Sequence, residues 1–269
     1  MTKKIDKTGS WWGDFHIENE KNIEWRIGPL KLIVRRLNNE WHIAHEPIND
    51  LDNNDFFWEK KDTDQLPDSL NNNSRYVFRD TTGQLSITPQ LADRPIISRP
   101  LTPFNLMAGE EVTLYVSTSL WLEVATGSSP KKILQSIAIQ RLSDTWFGPS
   151  TLEGELCYAS TTHCRLNYED LPQRAHRAIT PVLIRNHTNT TLLLERLNLP
   201  TPLLALYVSS SEQLWTPQVT LTREKDGDMA ELKIDNQPPN VAEQMQQLNE
   251  ARNKVDNGVL FRAFNTIFS

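Results

Sequence analysis

The chain has 269 residues, 23% of them charged, and a formal net charge of −6. That length buries a core for one large domain or two ordinary ones without disulfides or metals, and the negative balance gives no support to a nucleic-acid or anionic-membrane partner held by bulk charge. The acidity is local: −5 of the −6 sits between residues 50 and 68, where seven acids face only Lys60 and Lys61. The first ten residues carry lysines but no apolar h-region or small-residue cleavage site, and no window approaches 18 apolar residues. A cytoplasmic protein without a transmembrane segment is therefore expected. Only two cysteines, Cys157 and Cys164, agree with a reducing compartment.

Residues 11–45 read as short strands, with Phe15 and Ile17, then Ile23, Trp25 and Ile27, then 30–37, then Trp41 and Ile43. Gly28-Pro29 and Asn38-Asn39 punctuate the later ones into an antiparallel meander. The Asn/Asp-rich run 49–74 holds one apolar cluster, Phe56-Phe57-Trp58, and reads as an exposed acidic excursion. Strands resume at 75–78 and 85–88. A proline-punctuated connection follows (Pro89, Pro95, Pro100, Pro103), and the domain boundary is placed there.

Residues 112–124 form the spine of the pattern. Val112, Leu114, Val116, Leu120, Leu122 and Val124 share one parity, the period of a half-buried strand. At about 3.3 Å per residue this run spans about 43 Å, so a bend or bulge is expected near 117–119. Trp121 falls on the opposite parity and is the tryptophan expected to be exposed. The other seven tryptophans read mainly as core rings.

Strands follow at 133–142, 152–158, 163–168 and 179–185. Residues 186–190 form a plausible hairpin loop to 191–197, and further strands lie at 203–208 and 215–222, where Pro217 suggests a sheet edge. Asp226-Gly227 closes a hairpin onto 229–234. Asn240 with Glu243 then forms a capping box, Val241, Met245, Leu248, Arg252 and Val255 share a helical stripe, and Asn257-Gly258 ends it. A second short helix is predicted over 260–268. It covers a sheet edge or makes an oligomer contact.

The most unusual stretch is 143–158. Asp144, Glu153 and Glu155 lie near Trp146 and Phe147, with His163 following, and a strand over 152–158 puts Glu153, Glu155 and Cys157 on one face. Such a set would do acid–base work, or bind a divalent cation through oxygen, if burial pushed the carboxyl pKa values apart. The plainer reading is a turn at 146–149 followed by a strand with a solvated acidic face. Cys157, His163 and Cys164 lack zinc spacing, since adjacent residues on a strand point to opposite faces. His176 beside Arg174 and Arg177 reads as a polar loop, with an anionic ligand the alternative.

The segments Gly109-Glu110-Glu111-Val112-Thr113-Leu114-Tyr115-Val116, Arg141 to Gly148 (RLSDTWFG), Glu153-Gly154-Glu155-Leu156-Cys157-Tyr158 and Arg177-Ala178-Ile179-Thr180-Pro181-Val182 resemble, in pattern and order, the domain of unknown function 432 family of archaeal and bacterial proteins. The likeness covers roughly 99–234. It implies a soluble, β-rich prokaryotic protein and assigns no activity, cofactor or site residue.

Together these observations predict a mainly β protein with two packed antiparallel β-domains and a C-terminal helical segment. A small meander or barrel over 1–95 precedes a larger sandwich over 96–236, and a helical tail covers 237–269. The expected function is a non-catalytic ligand- or protein-binding module, without a cofactor. Recognition is placed at the loops 144–149 and 174–180, with Asp144, Trp146, Glu153, Glu155, His163 and Arg177 as binding candidates. A protein partner or a second copy would dock through the C-terminal helix or an exposed sheet edge. The alternative is a hydrolase or metal-dependent enzyme built on Asp144, Glu153, Glu155 and His163.

Overall fold

The computed structural model of the protein describes residues 9–49, 57–150, 152–241, 244–254 and 259–264. Among these residues the chain forms strands, connections and three single 3-10 turns, with no α-helix. None of its helical segments is long and apolar enough to cross a membrane. The strands fall into two compact units, each assembled from separate stretches of chain.

The first unit takes the described residues up to Gln90, then Leu120–Gln140 and Gln173–His176. Its five-stranded antiparallel sheet runs in the order Trp58–Asp62, Asn22–Ile27, Leu30–Arg36, Glu40–Pro47, Asn72–Val77. Ile23, Val34 and Ile43 stand in one cross-strand row, while Ile33 and Ala44 pack with Leu70 on the other face. Burial on both faces explains why 30–34 reads as a continuous apolar run instead of an alternation. The Asn/Asp-rich stretch supplies both edge strands. Their polar residues, Glu59, Lys60 and Lys61 on one edge and Asn72, Asn73 and Arg75 on the other, suit positions that must not recruit another chain. Phe56 lies outside the described residues.

The alternating run 112–124 is two strands. Glu111–Ser119 pairs with Arg177–Asn186 in the second unit, whereas Trp121–Thr126 pairs with Gln84–Gln90 and Lys132–Ala138 in a four-stranded sheet of the first. The break falls at Leu120, whose N–H donates to the His176 carbonyl. It also corrects the expectation for Trp121. That residue opens an interior strand, with Gln90 on one side and Ala138 on the other, and is only 7% exposed.

The second unit is organised by Arg177–Asn186. Glu111–Ser119 lies antiparallel along one side of it, and Leu214–Trp215 followed by Val219–Arg223 lies parallel along the other. Pro217 is therefore not at a sheet edge. It occupies the gap between two short strands that share a neighbour, where no ladder bond is asked of its nitrogen. The hairpin expected around 186–190 is also absent, because Leu192–Leu194 joins a separate two-stranded sheet with Phe104–Leu106.

The C-terminal helical segment is corrected as well. Met245–Asn249 is a strand on Leu206–Ser209, and Val259–Arg262 is a strand on Met229–Ile234. The helical stripe is real in the sequence, but open ladder groups on two sheet edges compete for the same backbone, and tertiary pairing overrides so weak a preference. Glu243, Val255, Asn257 and Gly258, which supplied the caps and part of the stripe, lie outside the described residues, as do Ile267 and Phe268. The oligomer contact expected of that helix loses its element.

Candidate functional site

A further four-stranded sheet, within the second unit, orders as Ser143–Phe147, Glu155–Ala159, Ile96–Ser98, Leu197–Leu199. Its inner face holds Phe147, Cys157 and Ile97 in a small apolar cluster. Its outer face carries Trp146 directly opposite Leu156, each 44% exposed.

The turn between the first two strands fixes the indole. A Cβ on Gly148 would come within 2.1 Å of the Glu153 carbonyl oxygen, and one on Gly154 within 2.6 Å of Trp146 Nε1, so both closures require glycine. Trp146 Nε1 donates to the Ser150 carbonyl at 2.8 Å, and Ser150 Oγ in turn accepts from Glu153 N–H at 3.1 Å. The ring is an exposed plate with little freedom.

Beside it opens a cleft of about 250 Å³. Arg99, Arg196 and His163 supply its charge and N–H donors; Thr145, Ser160 and Thr162 supply hydroxyls; Trp146, Ile97 and Ala159 complete the lining. Two pairings bring these distant residues together. Leu197 is opposite Ser98 in an antiparallel pair, so Arg196 and Arg99, each one position beyond it, come to the same end of the sheet. On the other flank, Ser160 N–H donates to the Ile97 carbonyl and Cys164 N–H to that of Arg99, which lays the 160–164 segment alongside. Thr162 Oγ1 donates to the Ser117 carbonyl at 2.6 Å and accepts from Arg177 Nη1 at 2.9 Å. Arg177, 6% exposed, also donates to Thr161 Oγ1, so its guanidinium lies directly behind the turn that carries His163.

Of the six binding candidates from the sequence, Trp146 and His163 line the cleft and Arg177 backs it. The three carboxylates do not line it. Asp144 pairs with Arg94 at 3.1 Å on the surface, Glu153 sits exposed in the turn, and Glu155 accepts from the buried Asn198 Nδ2 at 2.6 Å. Glu155 and Cys157 thus share the inner face of the sheet, not a solvated one. Among the described residues no group of three or more His, Cys, Asp or Glu side chains is placed to hold a metal ion. Both cysteines are unpaired and buried. Desolvation, with Glu155 nearby, pushes the Cys157 thiol up to about 12, and desolvation pushes Cys164 to about 11, so neither is poised as a nucleophile. Sequence reasoning missed Arg99, Arg196 and Thr145. The only local signal was an arginine flanking each of two short apolar runs, and their meeting depends on a register that no local pattern encodes.

These features define a β-rich protein with a cleft on one of its sheets whose lining includes two arginines, a histidine and a tryptophan. The chain belongs to the family described as protein of unknown function DUF432, whose profile matches residues 11–268. No curated protein and no solved structure matches it.

Proposed function

We propose that the protein is a non-catalytic ligand-binding module of the cytoplasm, with recognition at the cleft beside Trp146. The observation that carries this reading is the gathering of two arginines, a histidine and Trp146 in the lining of one concave site. Small molecules are held in this way, by an apolar or aromatic wall and a few convergent polar groups. Two buried, unpaired thiols support the compartment, because oxidising environments favour disulfides. The hydrolytic or metal-dependent alternative has less behind it. Asp144 and Glu155 are separately engaged by Arg94 and Asn198, Glu153 is exposed in the turn, and none of the three lines the cleft.

The test is an amide and indole NMR titration against a panel of neutral, cationic and anionic small molecules. At least one compound should saturably shift the Trp146 indole N–H, lose that effect in Trp146→Ala, and be recovered unchanged after long incubation. If no class of compound shifts a cleft resonance, the binding reading fails. If a bound compound is turned over, the non-catalytic part of it fails.

A further inference from the structure

We propose that this cleft selects a small ligand carrying a phosphoryl group, held between Arg99 and Arg196, with the remainder of the ligand lying against Trp146. The inference rests on the binding reading above and adds the chemistry of the ligand.

The first argument is the register itself. Arg99 directly follows Ser98 and Arg196 directly precedes Leu197, the last paired positions, so two like charges lie at neighbouring strand ends, an unfavourable placement. Four arginines of the same unit are matched with acids, Arg94 with Asp144, Arg185 with Glu111, Arg223 with Asp226 and Arg262 with Asp228, while Arg165, Arg177 and Arg252 donate to carbonyls or hydroxyls. Among the described residues Arg99 and Arg196 have no ion pair, and no carboxylate lines the cleft. An arrangement that costs stability in the empty protein and is relieved by an anion is the electrostatic form of a binding site.

The second argument is the geometry of the donors. Guanidinium forks match oxyanions bidentately, and His163 and Thr145, which share the lining with Arg99 and Arg196, carry further donors. A phosphoryl group presents three terminal oxygens and up to two negative charges to such a set, whereas a single carboxylate presents two oxygens in one plane and one charge. The hydroxyls of Ser160 and Thr162 are already engaged within their own turn and with Ser117 and Arg177, so they shape the wall and leave recognition to the four other groups. The third argument is Trp146, whose bond to Ser150 removes the entropy cost of ordering an aromatic surface for the non-phosphate part.

The experiment is calorimetric titration of the full chain with inorganic phosphate, phenyl phosphate, phenol and phthalate, repeated on Arg99→Gln, Arg196→Gln and the matching lysine variants. Phenyl phosphate is expected to bind most tightly, inorganic phosphate more weakly and phenol immeasurably. Each glutamine variant should weaken phenyl phosphate by about tenfold or more, and the lysine variants should fall between. The same glutamine variants are expected to be at least as heat-stable as the parent, since each removes one of two repelling charges; a merely structural role would lower the melting temperature instead. Binding of phenol as strong as that of phenyl phosphate would overturn the phosphoryl assignment while leaving the cleft as a ligand site, and binding unchanged in both glutamine variants would overturn it by placing the ligand elsewhere. Preference for phthalate would overturn it in favour of a dicarboxylate. If no compound of any charge binds, the underlying binding reading falls as well.

Discussion

His45 lies half-buried in the strand Glu40–Pro47, and burial holds its imidazole below the ordinary value of 6.5. The unfolded chain therefore takes up this proton first as pH falls. The neutral histidine's contribution is fully present above about pH 6.5 and is lost progressively below it. Urea denaturation between pH 8 and pH 5.5 should show a fall in stability that is shallower in His45→Gln, and an identical slope in the variant would contradict this. The two thiols give a second residue-scale expectation. With Cys157 near 12 and Cys164 near 11, a maleimide should label neither in the native protein and both after denaturation. Residue chemistry was the part of the candidate site most visible in the sequence. Trp146 stands out because a turn rich in Gly and Pro presents it, and His163 because its neighbour Cys164 must face inward. Arg99 and Arg196 carry no such mark, and the carboxylates that drew attention by proximity are separated once strand direction is fixed.

Elements depend on a few positions where side-chain volume and backbone conformation leave one choice. Gly28 has φ of +51°, and a Cβ there would lie 2.2 Å from His176 Nδ1. Gly28→Ala combines a left-handed penalty with a clash inside the first unit and should cost about 2 kcal/mol or more in denaturant melts. Asn186 is fully buried, and its amide donates to the carbonyls of Leu106, Met107 and Thr190 while Arg223 Nη1 reaches its oxygen. Asn186→Ala should cost about 2 to 3 kcal/mol, because it strands several buried partners at once. A loss below about half a kcal/mol would mean that water replaces the amide. This network also explains why 186–190 misled as a hairpin loop. Its Asn and Thr residues are turn formers, but they close a polar knot between two sheets. Strands were legible both where one face is wet and, as continuous apolar runs, where both are buried, as at 30–34, and the pattern misled where an open sheet edge captured a helix-like sequence, as at 245–249.

At the scale of the molecule, sheet membership does not follow sequence order. Punctuation such as the proline run at 89–103 marks where the chain turns, and it carries no information about which sheet a later strand will join. The first unit needs Trp121–Thr126 and Lys132–Ala138, which return after the chain has already entered the second. Leu122, Val124 and Ile137 on those strands are buried, and losing their burial removes about 5 to 9 kcal/mol, comparable to the whole stability of a domain. A fragment of residues 1–95 is therefore expected to show no cooperative thermal transition, and a sharp melt with dispersed amide resonances would refute that. The same discontinuity bears on biosynthesis. When the ribosome has finished Gln90, the strand ending there has Gly13–His16 beside it but must wait for Thr126 before its other edge is filled. At about 5 to 20 residues per second that wait is about 2 to 7 s. The first part of the chain to be made thus cannot finish folding as it emerges, and for those seconds it presents an open apolar strand to chaperones and to neighbouring nascent chains.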